Sequence, residues 1–128
     1  MSLILLIEDD EPLRTVLAAT LRDAGHRVQQ AANGREGLKL FAKEPADVIV
    51  TDLIMPEQEG IETITTLRKE HPDLPIIAIS GGLVHAAAYL KAAQKLGANR
   101  ALAKPFSSAD LLRAVEEVLG GPGPESPA

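Results

Sequence analysis

Three five-residue runs limit the folds open to this chain: Leu3-Ile-Leu-Leu-Ile7, Asp47-Val-Ile-Val-Thr51 and Pro75-Ile-Ile-Ala-Ile79. None alternates apolar with polar at a period of two, so none suits a strand with one wet face. Each reads as a strand buried on both faces, the state typical of a parallel sheet covered by helices on either side. Each run also stops at residues that can do chemistry: Glu8-Asp9 after the first, Asp52 after the second, Ser80 after the third.

The segments between these runs supply the helices. Pro12 sits where a first helical turn tolerates it, Leu13, Val16, Leu17 and Leu21 form an apolar stripe, and Gly25 ends the helix. A second helix is predicted from Gly34 to Lys43, capped by Asn33 and burying Leu38 and Phe41. A third carries Ile61, Ile64 and Leu67 after a loop from Leu53 to Gly60, and ends near His71-Pro72 because the residue before proline resists helical geometry. An alanine-rich fourth runs from Val84 to Leu96. A fifth opens on the capping box Ser107-x-x-Asp110 and buries Leu111, Leu112, Val115 and Val118. Two weaker strands complete the alternation, His26 to Ala31 with only Val28 as a large aliphatic, and Ala101 to Ala103. Their low hydropathy assigns them to the sheet edges. The expected architecture is therefore an α/β, three-layer (βα)5 domain of flavodoxin-like type, with a five-stranded parallel sheet in the order 2-1-3-4-5.

Composition narrows the function. The chain has 128 residues and a formal net charge of −5, enough length for one domain that buries roughly two-thirds of its unfolded surface. We expect that domain over residues 1–119. Residues 120–128, rich in glycine and proline, are expected to be a flexible tail or linker remnant. There is no cysteine, hence no disulfide framework and no thiolate metal site, which fits a reducing, cytoplasmic setting. No apolar run is long enough for a signal or membrane anchor. An acidic balance with no basic stripe and only three aromatics, Phe41, Tyr89 and Phe106, argues against direct nucleic-acid binding.

In open α/β sheets, ligands bind beyond the carboxyl ends of the strands. Here those ends carry Glu8 and Asp9, Asp52, Ser80 and Lys104. Crowded carboxylates repel unless protonated or met by a hard cation, and magnesium, or manganese in its place, suits oxygen ligands of this type. A carboxylate can also attack phosphorus, with a cation, a lysine and a hydroxyl sharing the charge of the transferring group.

Four segments in this order resemble the receiver domain of bacterial two-component response regulators: Ile4-Leu-Leu-Ile-Glu-Asp-Asp-Glu-Pro-Leu-Arg14, Asp52-Leu-Ile-Met-Pro56 with Gly60, Ser80, and Leu102-Ala-Lys-Pro-Phe106. The resemblance implies that Asp52 is the phospho-acceptor, with Lys104 and Ser80 contacting the phosphoryl group. It implies a Mg2+ pocket of Glu8, Asp9, Asp52 and the backbone carbonyl of Ile54, and a cis bond before Pro105. It further implies a sensor histidine kinase or phosphotransfer protein as partner, and homodimerisation through helix 4, strand 5 and helix 5. The chain would be a phosphorylatable switch, not an enzyme beyond its own phosphorylation and dephosphorylation. Two departures stand out. Ala101 occupies the place where many receivers carry a switching aromatic, and the stretch from Ser80 to Gly97, opening on Gly81-Gly82, is about two residues longer than usual in the family.

Two other readings compete. A magnesium-dependent phosphatase with an aspartyl nucleophile usually has a second aspartate two residues on, where this chain has Ile54, and no cap domain is evident. A non-phosphorylated interaction domain with the same fold would not need the acidic pocket. Asp10 and Glu11 read as acids favouring a helix N-terminus, and His26, His71 and His85 as surface residues.

Overall fold

The computed structural model describes residues 2–53, 59–80 and 86–120. The elements alternate as expected: β1 (Leu3–Ile7), α1 (Glu11–Asp23), β2 (Arg27–Ala31), α2 (Gly34–Lys43), β3 (Val48–Asp52), α3 (Glu59–Glu70), β4 (Ile76–Ser80), α4 (Ala86–Leu96), β5 (Arg100–Ala103) and α5 (Ser108–Leu119). The five strands form one parallel sheet in the order β2-β1-β3-β4-β5. The three apolar runs supply its central strands, β1, β3 and β4, each buried along its whole length.

The alternation of side chains across the sheet makes two cores. Leu5, Ile7, Ile49 and Ile76 face α2, α3 and α4 with Phe41, Ile64, Leu67 and Ala93. Ile4, Leu6, Val48, Val50, Ile77 and Ile79 face α1 and α5 with Leu17, Leu21, Leu111 and Val115. Local sequence sets the helix starts. Asp10 caps α1 by accepting from the Leu13 N–H at 3.1 Å, Asn33 caps α2 through the Glu36 N–H at 2.8 Å, and Ser107 and Asp110 form a reciprocal capping box on α5. Gly25, at φ +97°, closes the α1–β2 turn in a conformation that disfavours other residues.

Several boundaries and burials differ from expectation. Both β3 and β4 extend one residue further than their apolar runs, so that Asp52 pairs with Ile79 and Ser80 with Ala103. Asp47 stays outside β3 because its carboxylate accepts from the Leu3 N–H at 2.8 Å. Val16, expected in the buried stripe of α1, is 60% exposed. The helix turns Ala18 toward the sheet beside Leu17 and Leu21, a sector lying on the far side of Leu17 from Val16. His26 and His71 are half-buried, not surface residues. His71 covers the edge of Phe41, with ring centroids 4.8 Å apart. His85 lies outside the described residues.

At the lower end of the sheet, opposite the acidic ends, Arg68 ties α3 to the end of α4. Its guanidinium donates to the carbonyls of Gly97, His71 and Pro72 and to Asn99 Oδ1, which also accepts from the Ile76 N–H. Among the described residues, no helix is long and apolar enough to cross a membrane.

Candidate functional site

The parallel sheet delivers its acids to one edge. Glu8 follows β1 and is fastened there by its N–H, which donates to the Ala31 carbonyl at the end of β2, 3.0 Å away. Its side chain is fully buried. Asp52 is the last residue of β3 and is 3% exposed. Lys104 follows β5 and is fixed by its N–H on the Ser80 carbonyl at 2.7 Å. The Lys104-Pro105 bond is cis, as the resemblance implies.

One ammonium serves both buried carboxylates. Lys104 Nζ donates to Glu8 Oε1 at 3.0 Å and to Asp52 Oδ2 at 2.8 Å. Glu8 Oε2 accepts in addition from the Asp10 N–H at 3.1 Å. Asp9 is exposed, yet one carboxylate oxygen of each of Glu8, Asp9 and Asp52 lies within 4.8 Å of the others. Two buried acids thus share the Lys104 ammonium, with a third acid beside them at the rim.

The electrostatics follow from that count. Burial, then the charge and hydrogen bond of Asp52, push the Glu8 carboxyl up from 4.5 to about 7, against the opposing pull of the Asp10 N–H and Lys104. Burial alone would lower Lys104, but its hydrogen bonds and charge interactions with Asp52 and Glu8 outweigh that, and its pKa is raised. The ammonium is therefore charged at neutral pH, and the pocket keeps an excess of negative charge. An all-carboxylate donor set of this kind fits a hard divalent cation such as magnesium.

Ser80 ends β4, the strand next to Asp52. Its side chain is fully buried, and among the described residues its Oγ has no hydrogen-bond partner. A buried hydroxyl left in this state costs free energy, of order 1–3 kcal/mol, so it stands ready for a ligand that can accept from it. The structure therefore brings together Glu8, Asp9, Asp52 and Lys104, and sets Ser80 on the adjoining strand. Ile54, Met55 and Pro56 lie outside the described residues, as do Gly81 and Gly82. Ala101 is half-buried opposite Ala78 in β4, so small side chains meet where an aromatic would need room.

One contact escaped sequence reading. Arg14, in α1, donates Nη1–H to the Glu8 carbonyl at 2.8 Å. A signal for it existed, because a cation this close to the positive N-terminal end of a helix is unfavourable unless a specific acceptor holds it there.

Comparison with known proteins gives a consistent picture. A sequence profile described as the response regulator receiver domain matches residues 4–116. The response regulator receiver protein CpdR of Brucella abortus is 35% identical over 120 residues, covering 93% of this chain and 98% of CpdR. The DNA-binding transcriptional regulator NtrC of Azospirillum brasilense is 36% identical over 121 residues, 94% of this chain but only 25% of NtrC. Among solved structures, a receiver domain protein from Clostridium thermocellum superposes with a TM-score of 0.87 at 27% identity, covering 94% of this chain and 95% of that one. The receiver domain of NtrX from Brucella abortus gives 0.86 at 25% identity, with 92% and 98% covered. On its fold, its motifs and these matches, the chain belongs to the receiver-domain family of two-component response regulators.

Proposed function

We propose that this domain is a magnesium-dependent phosphorylation switch, in which Asp52 takes a phosphoryl group from a phosphohistidine on a sensor histidine kinase or phosphotransfer protein. The observation that carries this reading is the Lys104 ammonium bridging Glu8 and Asp52, 3.0 and 2.8 Å away. It offsets part of the negative charge of the resting pocket and is placed to donate to an incoming anion.

In the transfer, an Asp52 carboxylate oxygen forms a bond to phosphorus. The bond from phosphorus to the donor imidazole nitrogen breaks, and the nitrogen keeps the electron pair. When bound, magnesium supplies positive charge against the phosphoryl oxygens. Glu8, Asp9 and Asp52 are the side chains that would hold it, with the Ile54 carbonyl assigned to the same set by family resemblance. Lys104 moves a hydrogen bond to a phosphoryl oxygen, and the buried Ser80 hydroxyl donates to another.

The product carries a charge of about −1.5 to −2 beside the ends of β4 and β5. With Ala101 in place of an aromatic, the response passes through α4 and β5 without a rotating ring. We assign 1–119 to the switch and 120–128 to the tail. We assign the α4–β5–α5 face, where Leu96 is 38% exposed, to pairing with a second copy.

A single titration tests this reading. Beryllofluoride mimics the phosphoryl group, and a bound fluorine resonance should appear only with magnesium present and be lost in Asp52→Asn. Light scattering on the same samples should then show a doubled mass. A bound resonance in Asp52→Asn would overturn the acceptor assignment, and an unchanged mass would overturn the pairing face.

A further inference from the structure

The turn between β1 and α1 carries two of the three acids, and it is fastened on both sides of Asp9. The Glu8 N–H donates to Ala31 and the Arg14 N–H to the Asp10 carbonyl, at 3.0 and 2.8 Å. The Asp10 N–H donates to Glu8 Oε2 at 3.1 Å, and the Leu13 N–H to Asp10 Oδ1 at 3.1 Å. The remaining fastening comes from a charged side chain, the half-buried Arg14, whose Nη1–H donates to the Glu8 carbonyl at 2.8 Å.

That carbonyl belongs to the peptide group joining Glu8 to Asp9. Holding it fixes the tilt of the peptide plane and with it the direction in which the Asp9 side chain leaves the backbone. Asp9 needs such control, since its carboxylate is exposed yet sits within 4.8 Å of the Glu8 and Asp52 carboxylate oxygens. Arg14 is not there as an ion-pair partner, because among the described residues none of the salt bridges involves it. Its cost beside the helix N-terminus is offset by what it holds.

We infer that Arg14 is a positioning residue for a divalent-cation site: it holds the Glu8-Asp9 peptide so that the Asp9 carboxylate stands with Glu8 and Asp52. This rests on the reading above, that the three acids hold magnesium. Two effects of removing Arg14 have opposite signs. Loss of a positive charge near three carboxylates strengthens cation binding, whereas loss of the positioning contact weakens it. Positioning dominates, because an outer group that orients a ligand is typically worth 10–100-fold in metal affinity, while the charge of a half-buried guanidinium that still meets solvent is partly screened.

The test is calorimetric titration of the full chain with magnesium chloride at fixed ionic strength, with circular dichroism melting of each variant alongside. Arg14→Ala, which suits a helix, should weaken binding about 10-fold. Arg14→Lys, which keeps the charge and loses the planar fork, should fall between Ala and wild type. In an Asp9→Asn background, the effect of Arg14→Ala should vanish, because Arg14 acts on the cation through the Asp9 carboxylate. Unchanged or tighter binding by Arg14→Ala beside a wild type that binds would overturn the inference and leave the metal reading standing. So would an undiminished Arg14 effect in the Asp9→Asn background. If Arg14→Ala does not fold, Arg14→Lys decides, and an affinity equal to wild type overturns the role. A wild type that binds no magnesium would overturn the metal reading and this role together.

Discussion

Glu8 is buried against a second carboxylate, and this makes the stability of the metal-free domain depend on pH in an unusual direction. Its pKa is raised from 4.5 to about 7 by burial first and by Asp52 second. Between those values the native state keeps a proton that the unfolded chain releases. Stability from this group is therefore complete below pH 4.5 and lost as pH rises through about 7. The change is of order 3 kcal/mol. Denaturant unfolding in chelator at about pH 5 and about pH 8 should show the lower stability at the higher pH; equal or rising stability would contradict the burial of this pair. At this scale the sequence was informative only in combination. Lys104 alone reads as a surface charge, and it becomes a site residue only because three other strand ends carry acids or a hydroxyl. Arg14 signalled only that some acceptor must hold a cation near the helix N-terminus; which one was not legible, because its partner is a main-chain carbonyl brought near by the turn.

At the scale of elements, hydropathy was enough to order the sheet. The fully buried β1, β3 and β4 are central, and β2 and β5, with exposed Arg27 and Arg100, are at the edges. The caps at Asn33 and Ser107 were legible because each bonds locally within three residues, whereas Asp10, read only as an acid favouring the helix N-terminus, proved to be the cap of α1. Helix rotation was not legible. Val16 and Ala18 both lie beside Leu17, and the choice between them depends on how closely α1 approaches the sheet. The same closeness governs α2, where Gly37 packs so tightly on β1 that an added Cβ would lie 2.5 Å from Ile7 Cδ1. Ile7 is fully buried, so both its Cδ1 and its Cγ1, 2.9 Å from that Cβ, would have to shift within the core. Gly37→Ala should destabilise by about 1–3 kcal/mol despite its better helix propensity. Thermal melts would measure this, and a stabilised variant would show that the α2–β1 spacing is looser than described.

For the whole molecule, the fold was readable because all five strands alternate with helices by short connections, which leaves few parallel topologies. The candidate site was readable because that topology sends every strand's carboxyl end to one edge. The output was not. It depends on how a new charge near β4 and β5 changes α4, and the small contact of Ala78 with Ala101 carries no signature in a single chain of letters. This chain spans 98% of CpdR but only 25% of NtrC, so the same domain serves relatives of very different length. What they share with it is the receiver domain, and the central claim is that this one is phosphorylated on Asp52. Incubation with acetyl phosphate, followed by intact-mass and peptide mass measurement, tests it most directly. One phosphoryl adduct is expected on the peptide containing Asp52, formed with magnesium and absent with chelator or in Asp52→Asn. An adduct that persists in Asp52→Asn, or none in the magnesium-loaded wild type, would contradict it.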